Sequence, residues 1–135
     1  MKLSMSLSYT GDPVQAAEEA AQLEKAGIDM IWVAELYSFD AVSILGYLAA
    51  KTETVELTSG IFPIYSRTPT LTAMTAAGLD AVSGGRFNLG LGASGPQVIE
   101  GWHVLLCACA DAVRCYAYSA FMPSSSNADQ ASLSS

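Results

Sequence analysis

Between Lys2 and Tyr9 apolar and polar residues change places at every step, Leu3, Met5 and Leu7 alternating with Ser4, Ser6 and Ser8. A period of two sends each set to its own face of an extended chain and predicts a strand over residues 2–9. The period then lengthens. Asp12 is placed to accept from the free amides of a first helical turn, Pro13 has its φ preset for the first helical position, and Gln15 can reach back as in a capping box. Ala16, Ala20 and Leu23 recur at helical spacing while Glu18, Glu19 and Gln22 face elsewhere, and Gly27 supplies a left-handed stop.

Residues 30–34, MIWVA, are short and continuously apolar, the pattern of a parallel strand covered on both faces. A second helix is predicted from about Asp40 to Thr52, with Val42, Leu45, Leu48 and Ala49 on one side. VELTSGI, residues 55–61, reads as the third strand. The third helix is capped by Thr68, entered through Pro69 and stopped at Gly84 and Gly85, and RFNLGLG, residues 86–92, makes the fourth strand. Strands alternating with helices at these spacings require a parallel sheet and right-handed crossovers, so the expected class is α/β with about four parallel strands and three crossover helices.

Composition narrows the partners. Apolar residues make up 51% of the 135 and charged ones 14%, enough apolar surface to offset the entropy of folding. Thirteen acids against six bases give a net charge of -7, which argues against nucleic acid, because neutralising phosphates takes clustered Lys and Arg. The amino terminus lacks the continuous apolar core of a secretory signal. The most apolar stretch, Val104 to Met122, carries Asp111 and Arg114, each costing about 2.5 to 3.5 kcal/mol in lipid, so a membrane span is disfavoured. Cys107, Cys109 and Cys115 form no CxxC pair and have only His103 nearby, which fits neither a metal site nor a disulfide framework. Free thiols in the cytoplasm are expected.

In parallel α/β folds ligands bind beyond the carboxyl ends of the strands, where loops diverge and helix amino termini offer free amides. Ser8 to Gly11, Glu35 to Phe39, Gly60 to Arg67 and Gly92 to His103 are therefore the informative segments. Gly90 to Gly95, GLGASG, matches GxGxxG after a strand and Asp111 follows about twenty residues on, which opens an NAD(P)-binding reading. Against it, three βα units precede this run, whereas the fingerprint normally opens such a domain. The plainer reading is close packing of a strand end, and it fits Gly90. Glu35 ends a buried strand, where a carboxylate must be paired or face a site; it either positions a ligand or holds structural hydrogen bonds. Tyr65 and Arg67 lie past the third strand, where both are candidates to line the substrate side, with cover for the apolar helix ahead as the alternative for Arg67. His103 is a candidate acid or base beside Trp102, with a solvated loop histidine as the alternative.

Several stretches in order, GIDMIWVAELY, VELTSGIFPIYSRTP and AMTAAGLDAVSGGRFNLGLGASGPQVIEGWH, resemble the luciferase-like monooxygenase family, in particular its branch that uses the deazaflavin coenzyme F-420. The resemblance covers residues 1–103 and is most specific from Ser83 to His103. It implies a (β/α)8 TIM barrel with a deazaflavin ring, or alternatively FMN, over the carboxyl ends of the early strands. It further implies a bulge, often with a cis peptide not preceding proline, that supports the ring at Gly60, Ile61 and Phe62. The loop Gly92, Ala93, Ser94 and Gly95 would approach the ring edge with amides and the Ser94 hydroxyl. Luciferases place a His directly after the acid equivalent to Glu35, and Leu36 and Tyr37 stand here instead. That departure favours hydride transfer to or from a small organic substrate over oxygen activation.

A whole barrel takes about 250 residues, and its phosphate-binding loops follow strands seven and eight. The chain is thus expected to be a partial barrel: residues 1–103 as its amino-terminal part, 104–122 as a divergent apolar segment, and 123–135 as a disordered Ser-rich tail. Only three charged residues fall in the last 32, against sixteen in the first 103. One account is that a reading-frame change replaced the normal continuation. Its rival is a variant end docking as a helix, Val104 to Tyr118, on the open sheet. Open sheet edges invite homo-oligomers, and a non-catalytic half-barrel acting through a partner is the alternative function.

Overall fold

In a computed structural model, residues 1–9, 11–35, 39–95 and 98–99 are described. Trp102, His103, the three cysteines and the segments 104–122 and 123–135 lie outside them. The first helix, α1 (Pro13–Lys25), begins where the caps direct: Asp12 accepts from the amides of Val14 at 2.9 Å and Gln15 at 3.1 Å. Gln15 departs from the expected capping box. Its side chain reaches forward to Glu19 Oε1 at 2.9 Å, an i,i+4 pair on the exposed face, because Asp12 already satisfies the first-turn donors. Gly27, at φ +94°, turns the chain out of the helix.

The strand β1 (Ser4–Ser6) and the strand β2 (Met30–Val33) pair in parallel, Met5 opposite Ile31, and Leu7 extends the ladder by donating to the Trp32 carbonyl. The helix α2 (Ala41–Lys51) is capped by Asp40, and the strand β3 (Glu56–Ser59) pairs in parallel with β2. The helix α3 (Pro69–Ser83) starts at Thr68, whose hydroxyl accepts from Leu71, and ends at Gly84 in the left-handed region. The fourth strand of the expected series follows as β5 (Phe87–Asn88), giving the parallel order β1-β2-β3-β5.

Beyond Ser59 and Asn88 the ladder breaks and resumes as a second parallel pair, β4 (Phe62–Pro63) with β6 (Leu91–Gly92). Thr58 pairs with Asn88 and Phe62 with Leu91, so the third strand passes one more residue than its neighbour between the two pairings. That surplus residue is a bulge. The two expected strands at 55–61 and 86–92 are each split by it.

Side-chain alternation decides which face is core. Ile31, Val33, Leu57 and Phe87 point to the helices, where they meet Ala17 and Ala20 of α1, Leu45 and Leu48 of α2 and Leu79 of α3. Met30, Trp32, Glu56, Thr58 and Asn88 alternate to the opposite face, which carries no helix among the described residues. The expectation that MIWVA is covered on both faces is therefore corrected: Ile31 and Val33 are fully buried, while Met30 and Trp32 are half-buried. Arg86 ties the layers together. Its five N–H groups donate to the carbonyls of Ser83, Val55, Ala49 and Thr52 and to the Thr52 hydroxyl, sealing the carboxyl end of α2 with a cation.

Candidate functional site

Gly60 and Ile61 form the bulge, and the peptide between them is cis. Three glycines and a serine let the strands close around it. The Gly60 amide donates to the Val33 carbonyl at 2.8 Å, and a Cβ on Gly60 would lie 2.9 Å from Trp32 Cε3. The backbone there rests against the indole. A Cβ on Gly90 would come within 2.1 Å of the Ser59 carbonyl oxygen, so the close-packing reading of Gly90 fits this geometry. At Gly92 a Cβ would come within 2.4 Å of Ile61 Cδ1; the absent side chain leaves the space that Ile61 fills.

Where the bulge interrupts the ladder, a side chain completes it. The Ser59 hydroxyl donates to the Gly90 carbonyl and accepts from the Gly90 amide, at 2.9 and 2.8 Å. The Phe62 amide then donates to the same Gly90 carbonyl, and Ile64 to that of Gly92, both at 2.9 Å. Sequence reading did not single out Ser59. The available signal was a small hydroxyl residue at a strand end directly before a glycine, a position able to replace a backbone partner.

The structure thus brings Ile61 and Gly92 into contact and sets Gly60 against Trp32. Phe62 is adjacent, but its ring is fully buried beside Phe87, with centroids 6.2 Å apart and the Arg67 guanidinium carbon 4.6 Å over its face. Its amide is committed to the Gly90 carbonyl. Ala93, Ser94 and Gly95 continue from β6, and Ser94 adopts φ 69°, uncommon for a residue with a side chain. The amides of Val98 and Ile99 then donate to the Gly95 carbonyl.

Glu35 is committed elsewhere. Both its oxygens bind the Arg67 guanidinium, at 2.7 and 2.8 Å, and it accepts from the Ala41 amide at 3.3 Å. The pair is largely buried, with side-chain exposures of 10% for Arg67 and 8% for Glu35. Its geometry ties the end of β2 to the chain beyond β4 and to the start of α2. His103, the other acid–base candidate, falls outside the described residues. An apolar groove of about 340 Å³ lies between α3 and the fourth strand, lined by Ile64, Arg67, Pro69, Thr72, Ala73, Leu89 and Leu91. It shares no residue with Gly60, Trp32 or the 92–95 loop.

A parallel βα array whose carboxyl-end loops gather around a bulged third strand defines a barrel-type α/β protein, here a partial (β/α)8 barrel. Within that class the chain belongs to the luciferase-like monooxygenase family, whose model matches residues 1–113. A Mycobacterium tuberculosis protein named as a coenzyme F-420-dependent oxidoreductase is 45% identical over 105 residues, 76% of this chain and 30% of that protein. The coenzyme F-420-dependent tetrahydromethanopterin reductase of Methanopyrus kandleri superposes with a TM-score of 0.70 at 27% identity, over 74% of this chain and 29% of its own. An F-420-dependent secondary alcohol dehydrogenase solved with an F-420–acetone adduct superposes with a TM-score of 0.65 at 26% identity, over 70% of this chain and 32% of its own. The chain therefore spans less than a third of the length of each of these three. Among the described residues no helix is long and apolar enough to cross a membrane.

Proposed function

We propose that the chain forms the ring-binding floor of a luciferase-like oxidoreductase that moves hydride between the deazaflavin coenzyme F-420 and a small organic substrate, with FMN as the alternative ring. One observation carries this reading: Ile61 of the bulge packs on Gly92 of the neighbouring loop, where a Cβ would collide with it, while Gly60 lies against the Trp32 indole with no room for a Cβ. The half-buried indole of Trp32 backs the bulge, and Ile61 offers an apolar surface that suits a planar heterocycle.

When bound, the ring itself carries the hydride. The chain's residues orient it and exclude water. Gly60 and Ile61 present the backbone edge, and the loop from Gly92 through Ala93 and Ser94 to Gly95 offers amides and a hydroxyl to the ring edge. Glu35 acts through Arg67 as a positioning group for the segment beyond β4. His103 is the candidate for moving a proton.

Fluorescence titration of the 135-residue chain with F-420 and with FMN tests the reading. The expected result is saturable but weak binding, stronger for F-420, since phosphate grips in barrels of this kind follow later strands. No saturable change with either ring overturns it, and saturation by NADH alone favours the dinucleotide reading of Gly90 to Gly95. A second reading, a half-barrel acting through self-association, draws on β1 and β5, each with one unpaired edge among the described residues. Light scattering that gives a monomer at all concentrations removes it.

A further inference from the structure

Thr58 occupies the face opposite the helices, in a cross-strand row with Ser6, Trp32 and Asn88 and two residues before Gly60. It is 7% exposed, and its hydroxyl has no hydrogen-bond partner among the described residues. A buried hydroxyl left unpaired forfeits its hydration without replacement, so a threonine here is unfavourable to the free chain. Its neighbours do not relieve it. Asn88 turns its amide toward Glu56 Oε2 at 3.4 Å, Glu56 also holds Lys2, and Trp32 presents its ring to Gly60.

From this we infer that Thr58 is a positioning residue, its hydroxyl bonding the polar edge of the planar ligand that lies on the bulge. The inference rests on the ring-binding reading above. Two residues of strand separate Thr58 from Gly60, about 6.6 Å along the sheet, and both side chains would point to the same face. A fused heterocycle centred on the Gly60–Ile61 peptide extends over that distance. Heteroatoms at such a ring's edge accept or donate, and a threonine hydroxyl does either. Ligand binding then supplies the partner that folding leaves out.

The test compares Thr58→Val, which keeps the shape and removes the hydroxyl, with Thr58→Ser, which keeps the hydroxyl. Each full-length variant is titrated with F-420 and FMN, the absorption maximum of the bound ring is recorded, and thermal midpoints are measured without ligand. Thr58→Val is expected to bind about tenfold more weakly and to shift the bound-ring maximum, while its midpoint stays level or rises. Thr58→Ser is expected to bind within about threefold of the parent, with the parent's spectrum. Equal binding by Thr58→Val overturns the inference. Weakening in both variants with falling midpoints also overturns it, because that is the signature of a packing role. A parent chain that takes up neither ring defeats the ring-binding reading itself, and this inference with it.

Discussion

The hydroxyl of Ser59 bonds both backbone polar groups of Gly90, donating to the carbonyl and accepting from the amide across the break between β3 and β5. A bulge leaves its neighbour without a regular partner, and here one buried side chain supplies it. Gly90 in turn has no side chain because the Ser59 carbonyl occupies that space.

Ser59→Ala removes the acceptor of the Gly90 amide, while the Gly90 carbonyl keeps the bond from Phe62. The expected loss is about 1–3 kcal/mol of unfolding free energy in urea. Gly90→Ala is expected to cost more, about 3 kcal/mol or above, since backbone rather than a flexible side chain must yield. A Gly90→Ala variant as stable as the parent would contradict the close approach.

Arg67→Met leaves the Glu35 carboxylate buried without its cation, and a loss of about 3–5 kcal/mol is expected. The double variant Glu35→Leu/Arg67→Met removes both charges together. Its loss should fall below the sum of the two single changes by about 2 kcal/mol, measured in a double-mutant cycle. Additive losses would mean that the two residues act independently.

Arg86→Lys offers three donors from one point where five from a planar fork are in use. It is expected to lower stability by about 2–3 kcal/mol by leaving buried carbonyls at the end of α2 short of donors. Chemical denaturation checks this, and hydrogen exchange should show the last turn of α2 opening more often.

Glu24 receives the amides of Glu53, Thr54 and Val55 and the Thr54 hydroxyl. Burial pushes its pKa up, but these donors together outweigh burial and hold it below the ordinary carboxylate value. A lowered folded pKa means that its contribution is complete above the unfolded value and is lost as pH falls through the folded one. In urea midpoints recorded from pH 7 downward, the parent should therefore lose more than Glu24→Gln as acid carries Glu24 through its titration. Parallel pH profiles would remove the role assigned to it.

The helices were legible in the sequence because their signals are local. Asp12, Pro13, Thr68, Pro69, Gly27 and Gly84 stand where caps and stops must, and each acts within a few residues of itself. The parallel sheet followed almost as directly, since short apolar runs alternating with helices leave few arrangements. The resemblance supplied the bulge at Gly60 and Ile61, which periodicity alone does not show. The structure departs from the sequence at Gln15, where Asp12 already serves the first-turn amides and Glu19 takes the side chain, and at residues 30–34, where what packs across the sheet decides the burial of each face.

The sequence by itself determined the α/β class, the helix ends and the glycines at the strand tips, all written in spacing and backbone preference. Only the tertiary structure decided that Glu35 meets Arg67, that Ser59 completes the ladder at Gly90, and that the Thr58 hydroxyl stays unpaired among the described residues. Those relationships join residues about thirty positions apart, or depend on what fails to arrive there. The register of one strand on another fixes them, and a one-residue bulge shifts that register without leaving a periodic trace.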